Sequence, residues 1–194
     1  MGETPHYFIA IPVSNSLREE FVRWQEQFQE NLSYKIWPHK EDLHITLKFF
    51  GAVEENRLKK LQESLRSIDY PEFQITVGSI GTFGKQDSPR VLWGGVEINS
   101  TIEELFLKVE STAVTAGFSK ENRPFRPHIT LAKKWNGTYV HAENLRNIRE
   151  NYKAKIFHMN IKEFVLYQIF PSKTPKYENV ETFYLRGESI GPIN

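Results

Sequence analysis

Three observations predict an α+β chain built as two pseudo-symmetric lobes. The tetrad His44-Ile45-Thr46-Leu47 returns letter for letter as His128-Ile129-Thr130-Leu131. Apolar runs with strand character interleave with stretches whose apolar residues recur at three- and four-residue spacing. The order in the first half is strand, helix, strand, tetrad strand, helix; the second half runs strand, helix, tetrad strand, helix, strand. Such an order predicts two antiparallel sheets facing a central cleft, with helices on the outside. At 194 residues without a composition break, residues 1–194 read as a single domain of two lobes.

Tyr7-Phe8-Ile9-Ala10-Ile11 has the pattern of a buried strand closed by Pro12. Ser16 with Glu19 has the spacing of a capping box. Leu17, Phe21, Trp24, Phe28 and Leu32 then form the apolar stripe of a helix of about five turns. A short strand through Tyr34 and Trp37 ends at Pro38, and residues 39–43 are polar loop. The first tetrad strand runs over 44–50 and stops at Gly51.

Leu58, Leu61, Leu65 and Ile68 predict a helix over 54–68, with Glu54 and Glu55 in the dipole-favoured first turn. Residues 73–77 alternate as a strand, and Gly78, Gly81 and Gly84 predict a bent, loop-rich connection. A strand from Val91 to about Ile98 follows. Asn99 or Ser100 is placed to cap a helix carrying Ile102, Leu105, Val109 and Ala113, which Gly117 ends. After the second tetrad and Trp135-Asn136-Gly137, a weaker helix is predicted near 142–152. Strands over 156–168, with a bend, and 182–186 close the fold around a polar loop at 172–179. The tail after Gly187 is expected to be loosely held.

Composition narrows the function. Hydrophobic residues make up 39% and charged residues 25% of the chain, ordinary for a globular domain. A net charge of +1 excludes a polycationic nucleic-acid coat, so basic surface must be local. The absence of cysteine removes disulfides, thiolate metal sites and a cysteine nucleophile, and fits a reducing cytoplasm. Residues 1–6 lack the pattern of a signal peptide, and His6 breaks the myristoylation pattern. No apolar run reaches membrane-spanning length.

Strand side chains alternate between faces, so His44 and Thr46 leave one face while Ile45 and Leu47 anchor the other. His128 and Thr130 behave alike in the second copy. Two imidazoles across a cleft suit acid–base chemistry near neutral pH, one taking a proton from a nucleophile and the other giving one to a leaving group. Two hydroxyls between them add donors where negative charge develops. In-line displacement at phosphorus asks for this layout. Lys48 falls on the His44 face by simple alternation, and Lys120, Arg123, Arg126, Lys133 and Lys134 cluster around the second tetrad with a single acid, Glu121. That clustering predicts an anionic substrate. Trp37, Phe83, Phe125 and Trp135 are candidates to stack a nucleobase.

With their flanks, Glu41-Asp42-Leu43-His44-Ile45-Thr46-Leu47-Lys48-Phe49-Phe50-Gly51 and Arg123-Pro124-Phe125-Arg126-Pro127-His128-Ile129-Thr130-Leu131-Ala132-Lys133 resemble the two signature segments of the two-histidine phosphoesterases. Within that superfamily the chain is most similar to the bacterial and archaeal RNA 2′,3′-cyclic phosphodiesterases, also called 2′-5′ RNA ligases. The likeness extends to residues 7–12, 90–96 and 164–167. It implies a bilobal fold with the cleft between lobes and hydrolysis of a 2′,3′-cyclic phosphate to a 2′-phosphate with no metal or other cofactor. It further implies His44 as proton donor, His128 as proton acceptor, and Thr46 and Thr130 as phosphate-binding residues. Lys133 stands where relatives often carry arginine, keeping the charge but losing the bidentate fork. Lys133, Arg126, Lys48 and Phe125 are the candidate substrate-binding residues. The expected partner of this cytoplasmic monomer is RNA with a 2′,3′-cyclic phosphate end, or a cyclic nucleotide.

Two other readings compete with hydrolysis. A nucleotide- or RNA-end-binding module would need no turnover, yet binding alone would tolerate loss of one histidine. Ligation is the reverse reaction through the same residues. A zinc site on His44 and His128 lacks a third ligand at any recognisable spacing, and His6, His39, His141 and His158 lie outside the repeats.

Overall fold

The computed structural model describes residues 4–86, 88–137 and 139–187. The tail after Gly187 and the first three residues lie outside these. The elements are β1 (His6–Pro12), α1 (Asn15–Gln29), β2 (Tyr34–Ile36), a single 3-10 turn (Lys40–Asp42), β3 (His44–Ala52), α2 (Glu55–Leu65), β4 (Phe73–Gly84), β5 (Pro89–Val96), α3 (Ser100–Thr115), β6 (His128–Trp135), α4 (Tyr139–Asn151), β7 (Ile156–Ile161), β8 (Glu163–Ile169) and β9 (Tyr177–Tyr184).

The α+β class and the antiparallel pairing hold, and the two half-sheets are joined. The order is β7-β4-β5-β6-β3-β1-β8-β9, with β2 beside β6, so one nine-stranded sheet spans the described residues. The half-sheets are joined strand to strand at β3 and β6, through the pair Ile45↔Ile129. Both isoleucines are fully buried, each contributing about 1.5–3 kcal/mol. The tetrads therefore form the seam of the molecule.

The helices are exchanged across that seam. From β1, α1 crosses to the other half, where Gln25 donates from Nε2 to the Leu131 carbonyl of β6 at 2.9 Å. Gly94 of β5 permits the close approach, since a Cβ there would stand 2.9 Å from the Phe21 ring. Likewise α3, which follows β5, packs against β3 and α2. The inner faces of both tetrad strands and these helices share one hydrophobic core.

Local departures from the sequence expectations have identifiable causes. The capping box is not made: α1 starts after Ser14, whose side chain makes no capping bond, and ends at Gln29, about a turn early. The glycines at 78, 81 and 84 do not end β4, which continues to Gly84. Gly78 and Ser79 absorb a register shift through positive φ, and bare Gly81 lets the Trp93 ring lie across the strand. The bend in the long strand falls at Lys162, between β7 and β8. At α3 the Asn99 cap forms as expected, its Oδ1 accepting from the Ile102 amide at 3.0 Å.

Candidate active site

Each tetrad carries a one-residue bulge, and the two bulges coincide. Along β1 the partners step from Ala10↔Thr46 to Ile9↔Lys48, leaving Leu47 unpaired. Along β5 they step from Trp93↔Thr130 to Leu92↔Ala132, leaving Leu131 unpaired. A bulge places two successive residues on one side of the strand and so inverts the alternation beyond it. Leu47 and Lys48 are both buried, as are Leu131 and Ala132. Phe49, 57% exposed, and Lys133 therefore reach the cleft instead.

This overturns one expectation. Lys48 does not share the face of His44 and Thr46. Only 6% exposed, it sends its ammonium to both carboxylate oxygens of Glu110 at 2.9 and 2.8 Å and to the Ser119 carbonyl at 2.9 Å. All three of its donors are taken, so it has none left for a phosphate. Glu110 in turn accepts from the Glu121 amide at 2.7 Å, and the buried pair clamps the segment that leads into the second tetrad.

The two histidines are held in the same way. His44 donates from Nδ1 to the Asp42 carbonyl at 2.7 Å, and His128 donates from Nδ1 to the Arg126 carbonyl at 2.7 Å. A carbonyl can only accept, so in each neutral ring the proton sits on Nδ1 and Nε2 is the basic atom. Nε2 of His44 lies 3.0 Å from Thr46 Oγ1. Continuing the Ile45↔Ile129 register sets His44 across from Thr130 and Thr46 across from His128.

Their surroundings differ. His44 lies against Phe8 (ring centroids 4.9 Å apart) and edge-on to Tyr177 (5.2 Å). Tyr177 is brought there by Asp42, whose carboxylate accepts from the backbone amides of Lys176 (2.9 and 3.0 Å) and Tyr177 (3.1 Å). Asp42 thus holds the ring with its carbonyl and the facing loop with its side chain. His128 lies edge-on to Phe83 at 4.8 Å. Burial pushes the His44 pKa down to about 4, aided by the charge of Lys133 and by His128. The His128 pKa is also lowered, by burial, and that of Lys133 by burial and by the charge of Lys176.

The cleft has two main chambers sharing Thr46 and Phe49. The smaller, about 190 Å³, gathers His44, Thr46, Thr130, Lys133, Asp42, Phe8 and Tyr177. The larger, about 520 Å³, has His128, Phe83, Phe106, Phe125, Arg90 and Arg126 in its wall. Phe125 stacks on Phe106 at 4.2 Å, giving that chamber an aromatic side. Of the stacking candidates, Trp37 lines a side cavity, whereas Trp135 packs edge-on against Tyr34 at 4.9 Å. Sequence reasoning missed Asp42, Phe8, Tyr177 and Phe49. Asp42 sits two residues before His44, a visible signal; Tyr177 is 133 positions away in the chain and had none.

Two matched His-x-Thr strands, set side by side at the seam of a sheet with exchanged helices, are the arrangement of the two-histidine phosphoesterase fold. The model of the family described as LigT like Phosphoesterase matches residues 11–93 and again 96–177. Each match contains one tetrad, and the chain belongs to this family. An RNA 2′,3′-cyclic phosphodiesterase of Geobacillus stearothermophilus is 35% identical over 96% of this chain, which spans 59% of that relative's length. One from Bacillus subtilis is 34% identical over 93% of this chain and 97% of its own. The crystal structure of E. coli LigT complexed with 3′-AMP superposes with a TM-score of 0.77 at 24% identity, covering 93% of this chain and 98% of that one. No helix among the described residues is long and apolar enough to cross a membrane.

Proposed function

We propose that this protein hydrolyses RNA 2′,3′-cyclic phosphate ends to 2′-phosphates. One observation carries the reading: both imidazoles are pinned through Nδ1 on a carbonyl two residues earlier, which leaves Nε2 of each ring as the atom available for proton transfer in the cleft. Water attacks phosphorus as His128 Nε2 takes its proton. The bond from phosphorus to the 3′ oxygen breaks as His44 Nε2–H protonates that oxygen, and solvent resets the pair. Thr46 and Thr130 donate to the non-bridging oxygens, and Lys133 supplies charge to the same chamber. A cyclic phosphodiester carries one negative charge, which offsets the Lys133 field and raises the depressed His44 pKa on binding.

The names of the relatives support the substrate class. The site itself supports the chemistry, because charge and proton transfer are provided by side chains already in place. Turnover is therefore expected to survive exhaustive chelation; loss on EDTA with recovery on zinc or manganese overturns this part. The deciding experiment is incubation with RNA ending in a 2′,3′-cyclic phosphate. A 2′-phosphate end is expected. A 3′-phosphate, or stoichiometric binding without turnover, overturns the proposal.

One observation favours the reverse division of labour. The larger pKa depression falls on His44, which suits a base better than an acid. An aryl phosphodiester separates the two, since a stable leaving anion needs no proton: with His44 as donor, His44→Ala harms this substrate less than His128→Ala does.

A further inference from the structure

Beside the His44 chamber lies a second cavity of about 200 Å³, sharing Pro38, Asp42, Lys133 and Tyr177 with it and adding Trp37, His39, Thr174 and Lys176. Two cations line this small space, and among the described residues neither forms an ion pair. The nearby carboxylate, Asp42, is occupied by the amides of Lys176 and Tyr177. Lys176 is close enough to depress the Lys133 pKa. Against two ammonium groups stands the single charge of Asp42, which favours the charged form of Lys133, so the cavity keeps a net positive charge that an arriving anion can share. The reacting phosphate needs only one of them, as Lys133 already faces the His44 chamber.

We propose that Lys176, with Lys133 and the ring of Trp37, forms a second phosphate subsite for the phosphodiester immediately upstream of the reacting cyclic end. The inference rests on the function proposed above and specifies its substrate as an oligonucleotide rather than a nucleoside. Chain direction agrees with it. If His44 protonates the 3′ oxygen, the ribose lies on the His44 side, and its 5′ carbon leads the upstream phosphate into the adjoining cavity. Trp37 is half-buried, with its Nε1 donated to the Tyr34 carbonyl at 3.2 Å, which fixes the ring as a wall against which a preceding base can lie.

Binding of products decides the matter independently of turnover. Calorimetry would compare a nucleoside 2′-monophosphate with a dinucleotide bearing a 2′-phosphate on its 3′-terminal ribose. The dinucleotide should bind about tenfold tighter, the scale of one charged hydrogen bond, with the log affinity falling more steeply with log salt by about 0.7. Lys176→Gln should abolish both differences while leaving the mononucleotide within about twofold, and Lys176→Arg should restore them. Equal affinities, or equal weakening of both ligands by Lys176→Gln, overturns the subsite. Failure of both cyclic-phosphate counterparts to turn over would sink the proposed activity instead, and the product affinities would still decide the subsite.

Discussion

The two tetrads have the same four letters, the same bulge and the same carbonyl anchor, yet their neighbourhoods have diverged at three places. Two residues before the histidine stand Asp42 and Arg126. At the first position beyond the bulge stand buried Lys48 and buried Ala132, and at the next stand Phe49 and Lys133, both on the cleft. The helix behind each strand repeats the asymmetry. Gln25 and Glu110 are each the eleventh residue of their helix and both reach the bulge of the strand they cover. Glu110 meets the Lys48 ammonium, whereas Gln25 donates to the Leu131 carbonyl, which the bulge removes from the ladder, and to the Pro38 carbonyl. One half therefore closes its bulge with a buried ion pair and the other with an amide. The contrast teaches that the duplicated part is the catalytic frame, whereas just beyond the bulge only the second half sends a charge into the cleft.

The histidines should break the symmetry most sharply. Either alanine substitution is expected to lower turnover of a cyclic-phosphate RNA about a hundredfold or more, with product affinity changed far less. On an aryl phosphodiester the two should separate, His128→Ala remaining severe and His44→Ala recovering. Equal losses on both substrates would mean that the halves act identically, contrary to the assigned roles.

The two bulge closures should differ in stability. Lys48→Ala strands the Glu110 carboxylate in the core, and urea unfolding should show a loss of about 3–5 kcal/mol. Gln25→Ala takes this donor from the buried Leu131 carbonyl and the partly buried Pro38 carbonyl, at a cost of about 1–3 kcal/mol. Pairing Lys48→Met with Glu110→Leu should recover most of the first loss, because no buried charge remains. If Lys48→Ala instead left stability intact and raised KM, Lys48 would be a substrate ligand after all.

Lys133 tests the one-sided charge. Lys133→Gln should raise KM for the cyclic end about tenfold with a smaller change in kcat, and Lys133→Arg should restore most of it. Phe49→Ala, at the corresponding place in the other half, should change KM only a few-fold.

The smallest effect is a displacement of pH profiles. The productive pair has one proton, on His44, with His128 neutral. In the free site both pKa values lie below the ordinary imidazole value, so kcat/KM should peak on the acid side of 6.5 and fall as pH rises. The bound anion raises both values, so the kcat optimum should lie at higher pH. Lys133→Gln removes a positive charge that depresses His44 and should move the kcat/KM optimum upward even without ligand. Coincident optima for kcat and kcat/KM would show that phosphate does not retune the pair.

The sequence by itself determined the frame of this protein. Period-two and period-3.6 patterns placed most strands and helices, and the repeated tetrad identified His44, Thr46, His128 and Thr130. The physical reason is that these signals are local, since alternation, apolar spacing and an Asn99 cap involve residues within a few positions of one another. Only the tertiary structure decided which cation faces the substrate. Plain alternation puts Lys48 in the cleft and Lys133 with Ile129 and Leu131; the bulges at Leu47 and Leu131 invert both assignments. A bulge is defined by register against a neighbouring strand, here Ala10 and Ile9 of β1 and Trp93 and Leu92 of β5, and tetrad letters do not contain that register. The joining of the half-sheets at Ile45↔Ile129 and the hold of Asp42 on the loop before Tyr177 are likewise long-range pairings. They form only when distant segments fold against each other.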